Sequence, residues 1–280
     1  MKHYSCIFSI VALISLCLPA QSQAQSKFTF RLSGGLNLLD GGDLNTGAEG
    51  SFNVWQAMAH LAGNATSGTF SAAKLGLNFS GDFIFKFNES MGVGIGAGML
   101  SAAKESVMTF SSAWVSGDIT HQVKASAIPL RLGFFYFLPV GPTMNVVFNA
   151  GLGYYLAKAN YTMIGTAGGT SETIELDASG GGLGFHGGLG LEIALMPNLG
   201  ILVDLSGRFA SFGGFEGDQT GGGTTIPGTL YAFDGSSALG NFHRIIIQAA
   251  LPSGSGISHA AEAKVSFTGF SFVAGFFFRF

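Results

Sequence analysis

Beyond its first two dozen residues, this 280-residue chain has no apolar run approaching the ~18 residues a membrane-spanning helix needs, although 47% of it is hydrophobic. Charge is scarce: 10% of residues are Asp, Glu, Lys or Arg, and 13 basic against 16 acidic side chains leave a formal charge of −3. So small an imbalance gives no basic surface for nucleic acid and no acidic tail. The two cysteines, Cys6 and Cys17, both lie near the start. The rest of the chain therefore has no thiol nucleophile, thiolate metal site or disulfide.

The first 24 residues read as a cleaved signal peptide. Met1-Lys-His3 is a short basic start, Cys6 to Leu18 an apolar stretch too short to span, and Ser22-Gln-Ala24 a small-residue cleavage site before Gln25. Leu16, where a small residue would be needed, argues against lipid attachment at Cys17. The expectation is a leader over 1–24 and one domain over 25–280, in an extracytoplasmic compartment.

What the chain has in quantity is glycine, 44 residues, and phenylalanine, 27. High hydrophobicity without long helices leaves a closed barrel as the way to cross lipid, because every backbone polar group must be paired internally. Eight segments alternate with period two: about 27–38, 73–87, 91–103, 123–138, 143–156, 183–195, 200–211 and 265–280. Asn88-Glu-Ser90, Pro139-Val-Gly-Pro142 and Met196-Pro-Asn-Leu199 are tight turns. The alternate links 39–72, 104–122, 157–182 and 212–264 are long, rich in Gly, Ser, Thr and Asn, and read as loops. Short periplasmic turns and long outer loops predict an all-β protein, an eight-stranded antiparallel up-and-down transmembrane barrel.

Charge supports this phase. On the more apolar face of every segment no residue is charged, as expected where a basic group at mid-bilayer costs ~2–4 kcal/mol. The opposite faces carry Arg31, Lys74, Asp82, Lys86, Arg131, Glu192, Asp204 and Arg208, with His186 among them. These form the expected polar network of the lumen. A tight turn at Met196–Leu199 would set Glu192 opposite Asp204, with Arg131 and Arg208 as neutralising cations. Inward Gly92, Gly94, Gly96, Gly98, Gly151, Gly153, Gly184, Gly188 and Gly190 alternate with Phe135, Phe137, Tyr155 and Phe277, as in a small barrel filled by its own side chains.

The last segment ends Phe270-Ser-Phe-Val-Ala-Gly-Phe-Phe-Phe-Arg-Phe280, apolar at every second position. In water such a row would be an aggregation hazard; in a bilayer it faces lipid. It resembles the closing strand of bacterial outer-membrane barrels, whose final aromatic is read by the barrel assembly machinery. That resemblance implies an assembly signal at Phe276, Phe278 and Phe280. With Ser126–Tyr136, Asn149–Leu156, Phe185–Glu192 and Pro197–Leu199, the chain resembles the small outer-membrane barrels of the OmpA-like and OmpX-like kind. The resemblance implies a bacterial outer-membrane location and lipid as partner, but no particular activity.

Other motifs carry little chemistry. Gly182-Leu-Gly-Phe-His-Gly187, with Asp204 beyond it, matches a dinucleotide fingerprint, but it lies in an alternating strand with no helix after it. His186 could be a general base only beside a nucleophile at the lipid surface, and no His-x-Ser pattern supplies one. His60, His121, His243 and His259 have no metal-ligand spacing, and Asp40-Gly-Gly-Asp-Leu-Asn45 fits no calcium loop. No cofactor or metal is expected. Phe52–Leu61 predicts a short helix at the rim, with Val54, Met58 and Leu61 on one stripe beside Trp55.

Residues 229–233 and 242–251 look like strands, but the first is too short to span lipid, so together they predict an outer hairpin. Its Leu230, Tyr231, Phe233, Ile245, Ile246 and Ile247 give more apolar surface than a solvated loop needs, making it the candidate contact with an extracellular ligand. A self-packed extension of the sheet is the competing reading. The sequence thus favours a non-enzymatic envelope protein with a filled lumen. A narrow path for small hydrophobic solutes is the alternative, and a lipid-modifying enzyme a third.

Overall fold

The structure, a computed structural model, describes residues 27–280. The expected leader lies outside the described residues. In chain order the elements are β1 (Phe28–Leu39), α1 (Asp43–Leu61), β2 (Ala65–Ser67), β3 (Leu75–Lys86), β4 (Met91–Ser111), β5 (Ser116–Pro139), β6 (Met144–Ala167) and β7 (Thr170–Met196). Then follow β8 (Leu199–Phe209), β9 (Ser211–Phe212), β10 (Glu216–Gly221), β11 (Thr224–Ser237), β12 (Gly240–Gln248), β13 (Ile257–Glu262), β14 (Val265–Ser266) and β15 (Gly269–Arg279).

The ring β1-β3-β4-β5-β6-β7-β8-β15 is antiparallel throughout, and β15 returns to pair with β1, so the expected eight strands close a barrel. The phase is as expected. The exposed apolar side chains Leu32, Leu77, Ile95, Leu130, Leu152, Leu189, Leu205 and Phe272 all belong to the charge-free face. Arg31, Asn78, Phe135, Tyr155, Glu192, Asp204 and Phe277 are buried on the other.

The outer half differs from expectation. Residues 104–122 and 157–182 are not loops: β4 has 21 residues, β5 and β6 have 24 each, and β7 has 27, against 12 in β1. At ~3.3 Å per residue these four strands run well past the lipid belt. There they join β10, β11, β12 and β13 in a curved sheet. Alternation continues above the membrane, with Met108, Ile119, Val123, Tyr161, Met163 and Leu176 inside and Gln122, Lys124, Lys158, Glu175 and Asp177 outside. Because water covers this outer face, its residues are polar, and with Gly, Ser and Thr among them the segments resemble loops in composition.

The helix is also longer than the expected 52–61, and it is not a rim helix. Its N-terminal half, with Leu44, Ala48 and Phe52 at i, i+4 and i+8, is buried inside the outer sheet. The expected stripe points away: Leu61 is 78% exposed. Gly47 and Gly50 are buried, and a Cβ at either would collide with Ile245 or the His243 carbonyl. That close approach lets α1 cover the otherwise open edge of β12.

The hairpin at 229–251 exists as β11 and β12, with its turn after Ser237 rather than at Asp234. Leu230, Phe233, Ile245 and Ile247 are buried, and Leu230, Ile245 and Ile247 share one core with Phe52, Met108, Tyr161 and Phe267. The surface expected to contact a ligand is therefore largely internal. The self-packed extension prevails because α1 supplies the apolar partner that the hairpin needs.

Candidate functional site

The lumen is built from inward side chains separated by glycine. Asp82, Gly96 and Arg131 lie opposite one another on β3, β4 and β5. Because Gly96 has no side chain, Arg131 Nη2 reaches Asp82 Oδ1 across that strand at 2.8 Å. Gly190 stands opposite Asp204 in the same way, and Arg31 Nη2 approaches Asp204 Oδ2 at 3.3 Å. Arg31 Nε also lies 3.6 Å from Glu192 Oε1, while Arg279 Nη2 bonds Glu192 Oε2 at 2.7 Å. An alternating column Arg279–Glu192–Arg31–Asp204 thus rises from the short-turn end, with Asn149 bonded to Asp204 at its top.

Several expected partnerships are corrected. A register shift between Ala194 and Met196 sets Glu192 opposite Leu202 and Asp204 opposite Gly190, so the two carboxylates are not a cross-strand pair. Arg131 serves Asp82, not Glu192. Arg208 meets no carboxylate among the described residues. Its guanidinium donates to the Phe267 carbonyl at 2.7 Å, to Ser271 Oγ at 2.6 Å, to the Leu38 carbonyl at 3.2 Å and to Asn37 Oδ1. Lys74 is exposed, because β3 begins only at Leu75. Lys86 is half-buried, its ammonium 3.7 Å from the Phe137 ring centroid. Arg279, the second cation on Glu192, escaped the sequence reading amid the terminal phenylalanines, although its inward phase would have identified it.

Three groups of side chains occupy the barrel interior and its outer end. At the short-turn end Ile84, Phe135, Phe137 and Val147 pack together beside buried Phe277. Higher up, Phe212 stacks on Phe215 and Phe267 at 5.8 and 5.9 Å between centroids and meets Tyr155 at 6.2 Å. Phe212 and Phe215 come from the last long link, 212–264, whose fold composition alone did not reveal, and Phe267 from the start of the expected last strand. The third group is supplied by α1. Between the first two lies a cavity of about 50 Å³, bordered by Arg31, Asp82, Arg131, Asn149, His186 and Asp204. That is room for about three waters. His186 borders it with Nδ1 buried and unpartnered among the described residues, and no hydroxyl bonds the ring.

A second irregularity lies in the β4–β5 ladder. The β4–β5 pairing lapses at Gly98 and Met99, opposite Ile128 and Pro129, and resumes in the same register on either side. Pro129 has no N–H to give to the ladder, and it also borders the lumen cavity.

The outer sheet, above the lipid-facing stretch 126–138 of β5, holds its own polar groups. His121 is fully buried against Phe52 and bonds Tyr161 Oη through Nδ1 at 2.7 Å, leaving Nε2 without a partner. Burial pushes its pKa down to about 4. Asp234 accepts bonds from His243 and His259, both 2.9 Å, which hold its carboxyl below the usual range. His243 Nε2 also faces Asp43 at 3.5 Å, on the first turn of α1. Asp40–Asn45 leads into that helix, where Asn45 bonds the Asp40 carbonyl and the Ala73 amide. Among the described residues no three His, Cys, Asp or Glu are grouped to hold a metal.

A closed, side-chain-filled antiparallel barrel with a charge-free aromatic belt defines a bacterial outer-membrane β-barrel protein. The chain belongs to the outer membrane protein beta-barrel domain family, whose profile matches residues 8–226. Comparison with curated proteins gives no match. Among solved structures it is similar to the outer membrane protein OprG from Pseudomonas aeruginosa, at 12% identity and a TM-score of 0.40, covering 93% of this chain and 99% of that one. It is also similar to Ail, the attachment invasion locus protein of Yersinia pestis, crystallised with the heparin analogue sucrose octasulfate. There the identity is 13% and the TM-score 0.32, over 90% of this chain and 99% of Ail.

Proposed function

We propose that the protein is a non-enzymatic outer-membrane barrel whose sealed belt carries an outer β-domain for contact at the cell surface. The observation that carries this reading is the occupation of the barrel interior and its outer end by the ionic column with Phe135, Phe137 and Phe277, by the Phe212 stack and by α1. The absence of a nucleophile bonded to His186 among the described residues is consistent with it. Contact then falls to the ends of the long hairpins rather than to 229–251. Trp114, in the β4–β5 turn, is 96% exposed, and an indole held so far from lipid has no structural partner of its own among the described residues. Purified protein in planar bilayers should give no stable ionic conductance. Discrete, reproducible openings would overturn the sealed-barrel reading.

The break at Pro129 favours a second reading, passage of small hydrophobic solutes sideways through the wall. Pro129→Val restores the missing donor. Under the first reading it leaves solute uptake by proteoliposomes unchanged; a fall to half or less would promote the second.

A further inference from the structure

Among the described residues the short-turn mouth carries three cations, Lys27, Lys86 and Arg279, against Glu89 and the Glu192 carboxylate. Lys27 and Lys86 are neighbours across the β1–β3 seam, the Lys86 amide donating to the Lys27 carbonyl at 2.7 Å. Like charges placed opposite each other on a sheet repel, and neither ammonium makes an ion pair among the described residues. Arg279 is the third cation, with its one carboxylate, Glu192, shared with Arg31. All three line a recess of about 340 Å³ together with Phe87, Asn88, Glu89 and Pro197. Glu89 is already partnered.

The recess has an aromatic floor. Lys86 sits over the Phe137 ring at 3.7 Å and Arg279 over Phe277 at 4.3 Å, and both rings are buried at the short-turn end of the lumen. These ring faces hold the cations near the mouth. Among the described residues the Lys86 ammonium has no carboxylate partner, whereas Arg279 shares Glu192, deeper in the lumen, with Arg31.

We propose that this recess binds a phosphate-type anion from the short-turn side, with Lys27 and Lys86 as its principal ligands and Arg279 as a supporting charge. Charge-assisted bonds from two ammoniums suit a tetrahedral oxyanion, and the volume leaves room for a small ester group. Phe28, Phe87 and Phe280 are exposed around the same rim, so the phosphate can belong to a soluble ester or to an anionic lipid headgroup folded over it. Anion binding at this mouth does not depend on whether the barrel conducts.

The test uses the intact protein in a phosphorus-free non-ionic detergent, titrated calorimetrically with inorganic phosphate and with glycerol 1-phosphate at fixed ionic strength, chloride being the control. A parallel arm reconstitutes it in phosphatidylcholine vesicles containing phosphatidylglycerol and measures by native mass spectrometry which lipid remains bound. The proposal expects saturable single-site binding of a phosphate or selective retention of phosphatidylglycerol. The first result alone identifies a soluble anion and the second alone a headgroup. Lys27→Gln together with Lys86→Gln should weaken either at least tenfold, and Lys27→Gln alone, at an exposed strand start, should weaken it measurably with the fold intact by gel migration. No saturable binding and no lipid selectivity in the wild type overturns the proposal, as does unchanged binding in the double variant.

Discussion

Glu192 is the residue on which the lower lumen depends, because its two oxygens face two different guanidiniums, Arg31 and Arg279, at 1% exposure. Removing one partner of a buried ionic group leaves charge stranded, at a typical cost of ~3–5 kcal/mol. Glu192→Ala should therefore lower the urea midpoint of the folded barrel, and an unchanged midpoint would mean these side chains are solvated. His121 gives a prediction of different form. Its folded pKa, about 4, lies below the ordinary 6.5, so the unfolded state binds more protons between those values. Its share of stability is complete above pH 6.5, falls as the pH drops and is lost below 4, a difference of about 3 kcal/mol. His121→Gln keeps a polar partner for Tyr161 and cannot ionise. Denaturant curves followed by tryptophan fluorescence should differ less between pH 7 and pH 4 in the variant than in the wild type.

At the level of elements, α1 and β12 are held by close contact rather than by many polar bonds. Gly50→Leu should push the helix off the His243 carbonyl, exposing 229–251 to protease while the belt strands stay protected. Equal protection of both regions would refute that dependence. The same pair marks where sequence reading reached its limit. The belt was legible because lipid forbids charge on one face of each strand, so Leu130, Leu132 and Phe134 declare their phase. Above it water permits Gln122 and Lys124 on that face, and the signal fades although the strand continues. Helix α1 was only half legible, because Gly47 and Gly50 disfavour helix in isolation and are retained for packing that a single chain segment cannot reveal. Arg31, Asp82, Arg131, Glu192 and Asp204 were legible as inward residues but not as partners, and Arg279 was missed. A bulge near Leu195 moved Glu192 away from Asp204, and Gly96 let Arg131 reach over an entire strand.

For the whole molecule, the outward row Phe270, Phe272, Phe276, Phe278 and Phe280 closes the ring against Phe28, Phe30 and Leu32. Deleting Phe280 should reduce the amount recovered in outer-membrane fractions far more than replacing Asp40 does, and equal recovery of the two variants would remove the terminal row as an assembly signal. The seam has a kinetic meaning as well. β4–β5 and β6–β7 are hairpins with turns of a few residues, whereas Thr29 must find Arg279 almost a full chain away. Loop-closure entropy places such a contact late. The long hairpins would form first and stand as a curved open sheet, with the Arg279–Glu192–Arg31 column completed only when its outermost strands meet. In that order of events, the ionic column acts as a clasp that fastens the cylinder after it has curled.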